Sequence, residues 1–140
     1  MLSILRTYVD SSVYLRILLG QPGAMRLSDA DTACTSAITS TEGRRLLYRL
    51  RSKDKLDNAS LASRLAEFEA LLKLVEIVEI DAAILERAAM PFASPLGALD
   101  AIHLASALRA NEQGPVRLLT HNIELAIAAR AAKLDVVSST

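Results

Sequence analysis

The chain has 140 residues, enough for one domain, and a chain of this size buries roughly two thirds of its unfolded surface around a single core. With 51% hydrophobic and 23% charged residues it is no disordered segment, and sixteen basic against sixteen acidic side chains exclude a global pull toward nucleic acid or an anionic membrane. One cysteine, Cys34, excludes an intrachain disulfide framework and agrees with a reducing compartment, and no apolar run approaches the roughly 18 residues of a membrane span.

Arg6 and Asp10 break the opening apolar stretch too early for a signal-peptide core, so the expected location is the cytoplasm. Residues 5–9 read as a short strand ending at Asp10, Ser11 and Ser12, which are helix-capping types. A helix over 13–19 follows, stopped by Gly20, Pro22 and Gly23. Residues 32–38 read as a second strand, and Thr39 opens a T-x-x-E pattern closing at Glu42, the signature of a capping box before a helix over 44–50. Apolar residues at helical spacing mark 61–74, and the near alternation of 75–80 marks a third strand. An alanine-rich helix over 82–90 is halted by Pro91, and Pro95 suits a first helical position with Ser94 as its cap, opening a helix that runs to about Ala110. Gly114 and Pro115 form a turn before a strand over 116–120, and a helix over 123–134 and a strand over 135–138 complete the chain. Strands alternating with helices predict an α/β fold, a mostly parallel sheet covered on both faces, because parallel neighbours need crossovers that helices supply.

In such a sheet ligands bind beyond the carboxyl ends of the strands. Asp10 sits at such an end, Glu42 lies just past the second strand, and Asp100 stands early in a helix among Leu96, Leu99, Ile102 and Leu104, where a carboxylate is costly to bury alone. Three converging carboxylates repel, and a divalent cation such as Mg²⁺ or Mn²⁺ turns that repulsion into attraction.

The pieces YVDSSVYLR, TSTEGRRLL, LDAIHLASAL and LLTHNIELAIAARAAKLDV, in this order, resemble the motifs of PIN-domain nucleases, and among these the VapC-type toxins of toxin-antitoxin pairs. The resemblance spans essentially the whole chain, with LDAIHLA its most specific piece. It implies a single PIN-like α/β/α sandwich over 1–140, a Mg²⁺-dependent endoribonuclease with Mn²⁺ as a substitute ion, and an RNA substrate that is single-stranded or looped. It also implies a homodimer and a cognate VapB-type antitoxin whose tail enters the acidic groove. By motif position the family's metal-binding acids fall on Asp10, Glu42 and Asp100. The fourth family acid, in a Thr-x-Asp pattern, falls on Thr120-His121-Asn122, so Asn122 offers a carbonyl oxygen without a charge and leaves the number of metals open.

Each residue also has a plainer reading. Asp10 and Asn122 suit helix caps, Glu42 can close a capping box with Thr39, and Asp100 can pair with His103 three residues on. His103 itself reads as packing or support for the site, and the hydroxyls of Ser12 and Thr120 suit either turns or the orientation of a metal-bound water. The basic run of Arg44, Arg45, Arg49, Arg51, Lys53 and Lys55 reads as a solvated helix face or as a guide for an RNA backbone, an interaction that salt weakens. Two rival functions stand beside the nuclease. A Mg²⁺-dependent aspartyl phosphotransfer enzyme of the haloacid-dehalogenase type wants an acid where Ser12 stands, and a PIN-like module that binds RNA or protein without cutting draws on Asn122. No P-loop or G-x-G-x-x-G fingerprint points to a nucleotide cofactor.

Overall fold

The structure is a computed structural model that describes residues 6–25 and 32–138. Strand β1 (Arg6–Val9) passes directly into helix α1 (Ser11–Leu18), because the Asp10 carboxylate accepts the Ser12 backbone N–H at 2.6 Å and caps the helix. Leu5, where the sequence places the strand's start, lies outside the described residues. There follow β2 (Thr32–Ser36), α2 (Ile38–Ser52), α3 (Asn58–Leu72), β3 (Glu76–Val78), α4 (Ala82–Ala88), α5 (Ala98–Glu112), β4 (Val116–Thr120), α6 (Ile123–Ala131) and β5 (Asp135–Ser138).

All five strands are parallel, in the order β3-β2-β1-β4-β5, with Arg6 in register with both Thr32 and Val116. From the central β1 the chain builds outward through β2 and β3, then returns to lay β4 and β5 on the other side. The direction of winding therefore changes between β1 and β4, the point at which the following loops of such sheets part and leave a crevice.

Successive strand residues serve opposite faces. Tyr8 and Leu118 pack with Leu104 and Ala107 of α5 and Leu125 and Ala129 of α6, whereas Val9 and Leu119 pack with Val13, Tyr14 and Leu18 of α1 and Phe68 of α3. The result is a three-layer α/β/α sandwich. Alanines at 101, 105, 107 and 110 let α5 lie close against its neighbours, and most of its length from Ala101 to Ala110 is buried. Cys34 belongs to this core, where burial pushes its thiol up to about 11, so it packs as a small apolar residue. Among the described residues no helix is long and apolar enough to cross a membrane.

Two helix caps expected from the sequence are not made. Thr39 is not the cap of α2: the helix begins at Ile38, whose N–H is taken by the Ser36 hydroxyl at 3.1 Å. Thr39 lies buried in the first turn with its hydroxyl 2.7 Å from that of Thr35, which donates to the Val9 carbonyl at 2.6 Å. Glu42 is therefore free of any capping box. Likewise α5 begins at Ala98 after Gly97, because the Ser94 hydroxyl is drawn across to the Glu124 carbonyl at 2.6 Å instead of capping its own helix.

Candidate active site

Asp10 closes β1 at the crevice with only 2% of its surface exposed. A buried carboxylate is tolerable only with donors around it, and here they come from the start of α1 and the end of β4. Ser12 gives its N–H at 2.6 Å and its hydroxyl at 3.1 Å, and the Thr120 hydroxyl at the end of β4 donates to the second oxygen. Both hydroxyls also accept: Ser12 from the His121 N–H at 3.0 Å, Thr120 from the Asn122 N–H at 2.9 Å. The turns after β1 and β4 are thus stitched together through Asp10, and its capping role coexists with its place in the crevice.

Glu42 lies on the second turn of α2 with its side chain 17% exposed, and one carboxylate oxygen sits 2.6 Å from Nε2 of His103 on α5. That imidazole is wholly buried and its Nδ1 is 2.7 Å from the Tyr8 hydroxyl. With both ring nitrogens engaged, the Asp100–His103 pairing that the spacing allows does not form. Burial pulls the imidazole's pKa down, but the hydrogen bond to Glu42 and the fields of Asp10, Glu42 and Asp100 outweigh it and hold His103 above its ordinary value. Burial, then the charge of Asp10, keeps the Tyr8 phenol well above its usual range and so protonated.

Asp100, in the first turn of α5, is half-buried instead of sequestered, and accepts a hydrogen bond from Asn122 Nδ2 at 2.8 Å. Its pKa is raised, first by burial and next by the negative charge of Asp10, with Glu42 adding to the effect and Asn122 and His103 opposing it. Asn122 meanwhile caps α6 by accepting the Leu125 N–H at 3.2 Å, so the cap and the contact with an acid are made by opposite ends of one amide.

The fold thus brings Asp10, Glu42, Asp100 and Asn122 within electrostatic reach of one another, from β1, α2, α5 and the β4–α6 turn. Among the described residues, however, no three Asp, Glu, His or Cys side chains are grouped as a finished cage for an ion, because each acid leans on its own donor. The donors available to a cation are oxygens, and burial, then the negative charge of Asp10, raises the pKa of Asp100. The buried Tyr8–His103 support of Glu42 is invisible in the sequence, since its members are 95 and 61 positions apart. Only the presence of a histidine one turn after Asp100 hints at it.

The sequence matches the PIN domain family model over residues 7–133. The fold is similar to that of a chain in a toxin-antitoxin complex from Klebsiella pneumoniae, with TM-score 0.60 and 21% identity, covering 86% of this chain and 90% of that one. It is also similar to FitAcB from Neisseria gonorrhoeae, with TM-score 0.66 and 22% identity over 93% and 95% of the two chains. A third likeness is to FitAB bound to an IR36 DNA fragment, with TM-score 0.66 and 16% identity over 94% of each chain. No curated protein sequence matches. The family match spans most of the chain and takes in Asp10, Glu42 and Asp100 as well as the sheet that positions them, and the chain belongs to the PIN domain family.

Proposed function

We propose that this chain is a Mg²⁺-dependent endoribonuclease and the toxin of a toxin-antitoxin pair. The observation that carries the reading is the gathering of three acids: Asp100 is joined through Asn122 and Thr120 to Asp10, and Glu42 is held by His103 of the helix that carries Asp100. Such crowding destabilises a protein unless a cation or substrate group makes use of it.

Asp10 and Asp100 would hold the ion directly or through waters, an arrangement suited to Mg²⁺, which keeps several waters and takes one or two carboxylates; Mn²⁺ suits the same oxygens. Bound there, the ion supplies charge neutralisation at a phosphodiester and eases deprotonation of water. Glu42, held by His103, adds a ligand or orients the attacking water. Asn122 steadies Asp100, and Ser12 and Thr120 fix the buried oxygens of Asp10. The toxin assignment, with a VapB-type antitoxin as partner, is supported by the PIN domain match and by likeness to a toxin-antitoxin complex and to FitAB; a homodimer and a cytoplasmic location complete the proposal.

Asp10→Asn and Asp100→Asn proteins, folded by circular dichroism, are expected to cut RNA more than roughly 100-fold slower than the parent. Equal rates would overturn the mechanism. Asn122, uncharged where the family pattern has an acid, favours a second reading as an RNA- or protein-binding PIN module that does not cut. RNA binding that persists in EDTA, without metal-dependent cleavage at high protein concentration, would decide for it.

A further inference from the structure

Beside Glu42 a groove of about 420 Å³ opens between α1, α2 and the start of α5. Its apolar lining includes Leu15, Leu46 and Leu99, and its polar wall carries Glu42, Arg45 and Arg49. We infer that Arg45 and Arg49 form a subsite for the sugar-phosphate backbone of single-stranded RNA, leading it to the carboxylates; the inference rests on the nuclease reading and names the residues that hold its substrate.

The cationic side chains of α2 and the segment after it are not equivalent. Arg44 is spent on Glu69 at 3.3 Å, and Arg51 on Asn58 at 2.6 Å and Asp54 at 3.5 Å. Lys55 borders a different pocket, beside Asp54 and Asp57. Arg45 and Arg49 are exposed and make no side-chain hydrogen bond or ion pair among the described residues, and they are the two arginines in the groove that contains Glu42. Glu42, Arg45 and Arg49 occupy successive turns of one helix face. The two guanidinium groups stem from positions separated by roughly 6 Å along the axis, comparable with neighbouring phosphates on an extended strand. Arginine's planar fork suits phosphate oxygens, and the leucines opposite offer an apolar surface to an unstacked base. Charge complementarity therefore selects a polyanion with exposed bases.

The test is the Arg45→Ala/Arg49→Ala protein against Arg64→Ala, which removes the same kind of charge from α3, where Arg64 faces Glu67. With a short single-stranded oligoribonucleotide the double variant is expected to raise KM roughly tenfold, with a much smaller change in kcat. The salt dependence of binding should flatten, its logarithmic slope falling by about 1.4 for two lost single-strand phosphate contacts. Arg64→Ala leaves both unchanged. Fluorescence anisotropy in EDTA with the same oligonucleotide reads the groove independently of cleavage, so an RNA that binds the parent and not the double variant, yet stays uncut when Mg²⁺ is supplied, refutes the nuclease and retains the subsite. Unchanged KM and salt slope overturn the subsite. So does a double variant that binds RNA normally yet escapes its antitoxin, since the groove then belongs to a protein partner.

Discussion

Gly43 follows Glu42 in α2 and faces α3. In a free helix, replacing it by alanine gains about 1 kcal/mol, because glycine loses more backbone entropy. In the folded chain the added Cβ would lie 2.2 Å from Cε2 and Cζ of Phe68, where carbon atoms normally keep about 3.5–4.0 Å. The ring cannot swing into solvent: it is 0% exposed and enclosed by Val9, Val13, Tyr14, Leu18 and Leu119. Helices α2 and α3 must therefore part, at an overpacking cost of about 1–3 kcal/mol. An overlap this deep belongs at the upper end of that range, leaving a net loss of about 1–2 kcal/mol after the propensity gain. The melting temperature should fall by roughly 3–7 °C. Because the displaced helix carries Glu42, the RNA cleavage proposed above should fall by up to about a hundredfold. Urea unfolding of Gly43→Ala, Phe68→Leu and the double variant isolates the contact, since the shorter leucine makes room for the methyl and the two changes should couple by more than about 1 kcal/mol. A higher unfolding midpoint for Gly43→Ala, as helix propensity alone demands, or zero coupling, would refute the reasoning.

Asn122→Asp keeps the α6 cap, because aspartate caps as well as asparagine, but turns the donor facing Asp100 into a like charge. The metal-free protein should lose on the order of 1–3 kcal/mol, and calorimetric titration with Mn²⁺ should show tighter binding or a second site; unchanged melting and unchanged Mn²⁺ binding would contradict this. The pH dependence of Asp100 has a definite sign. Burial and Asp10 raise its pKa in the fold, so protonation stabilises the native state: this stability is complete below the unfolded value near ~3.9 and is lost as pH rises through the folded pKa. Metal-free Asp100→Asn should therefore melt above the parent at pH 7, with the gap closing as pH falls toward that of an ordinary aspartate. A gap that widens on acidification would reverse the assignment.

Much of the architecture can be read from local signals. Strands β4 and β5 occupy the expected residues 116–120 and 135–138, because Gly114-Pro115 and the end of α6 isolate apolar runs whose only neighbours are turns. Errors arise where a distant partner competes with a local one. Ser94 looks like a cap until the Glu124 carbonyl is placed beside it, and the T-x-x-E of Thr39 and Glu42 looks like a capping box until Thr35 and His103 claim its two ends. Helix α6 stops at Ala131, ahead of the expected 134, as the chain turns through Lys133 at φ 72°. In the candidate site, Asp10, Asp100 and Asn122 are legible because strand ends and helix starts announce them. The tether on Glu42 is not, because it depends on contacts between elements far apart in the chain.

That tether has a consequence for how the chain tolerates change. Tyr8 lies on β1, two positions ahead of Asp10, and His103 three positions beyond Asp100 on the same helix. The phenol and imidazole that brace Glu42 are thus rooted beside the other two acids, inside the layer where the sheet meets α5. Loosening that layer by a mutation far from the crevice would unsettle all three carboxylates together, so interior packing and the alignment of the acids are bound to drift as one.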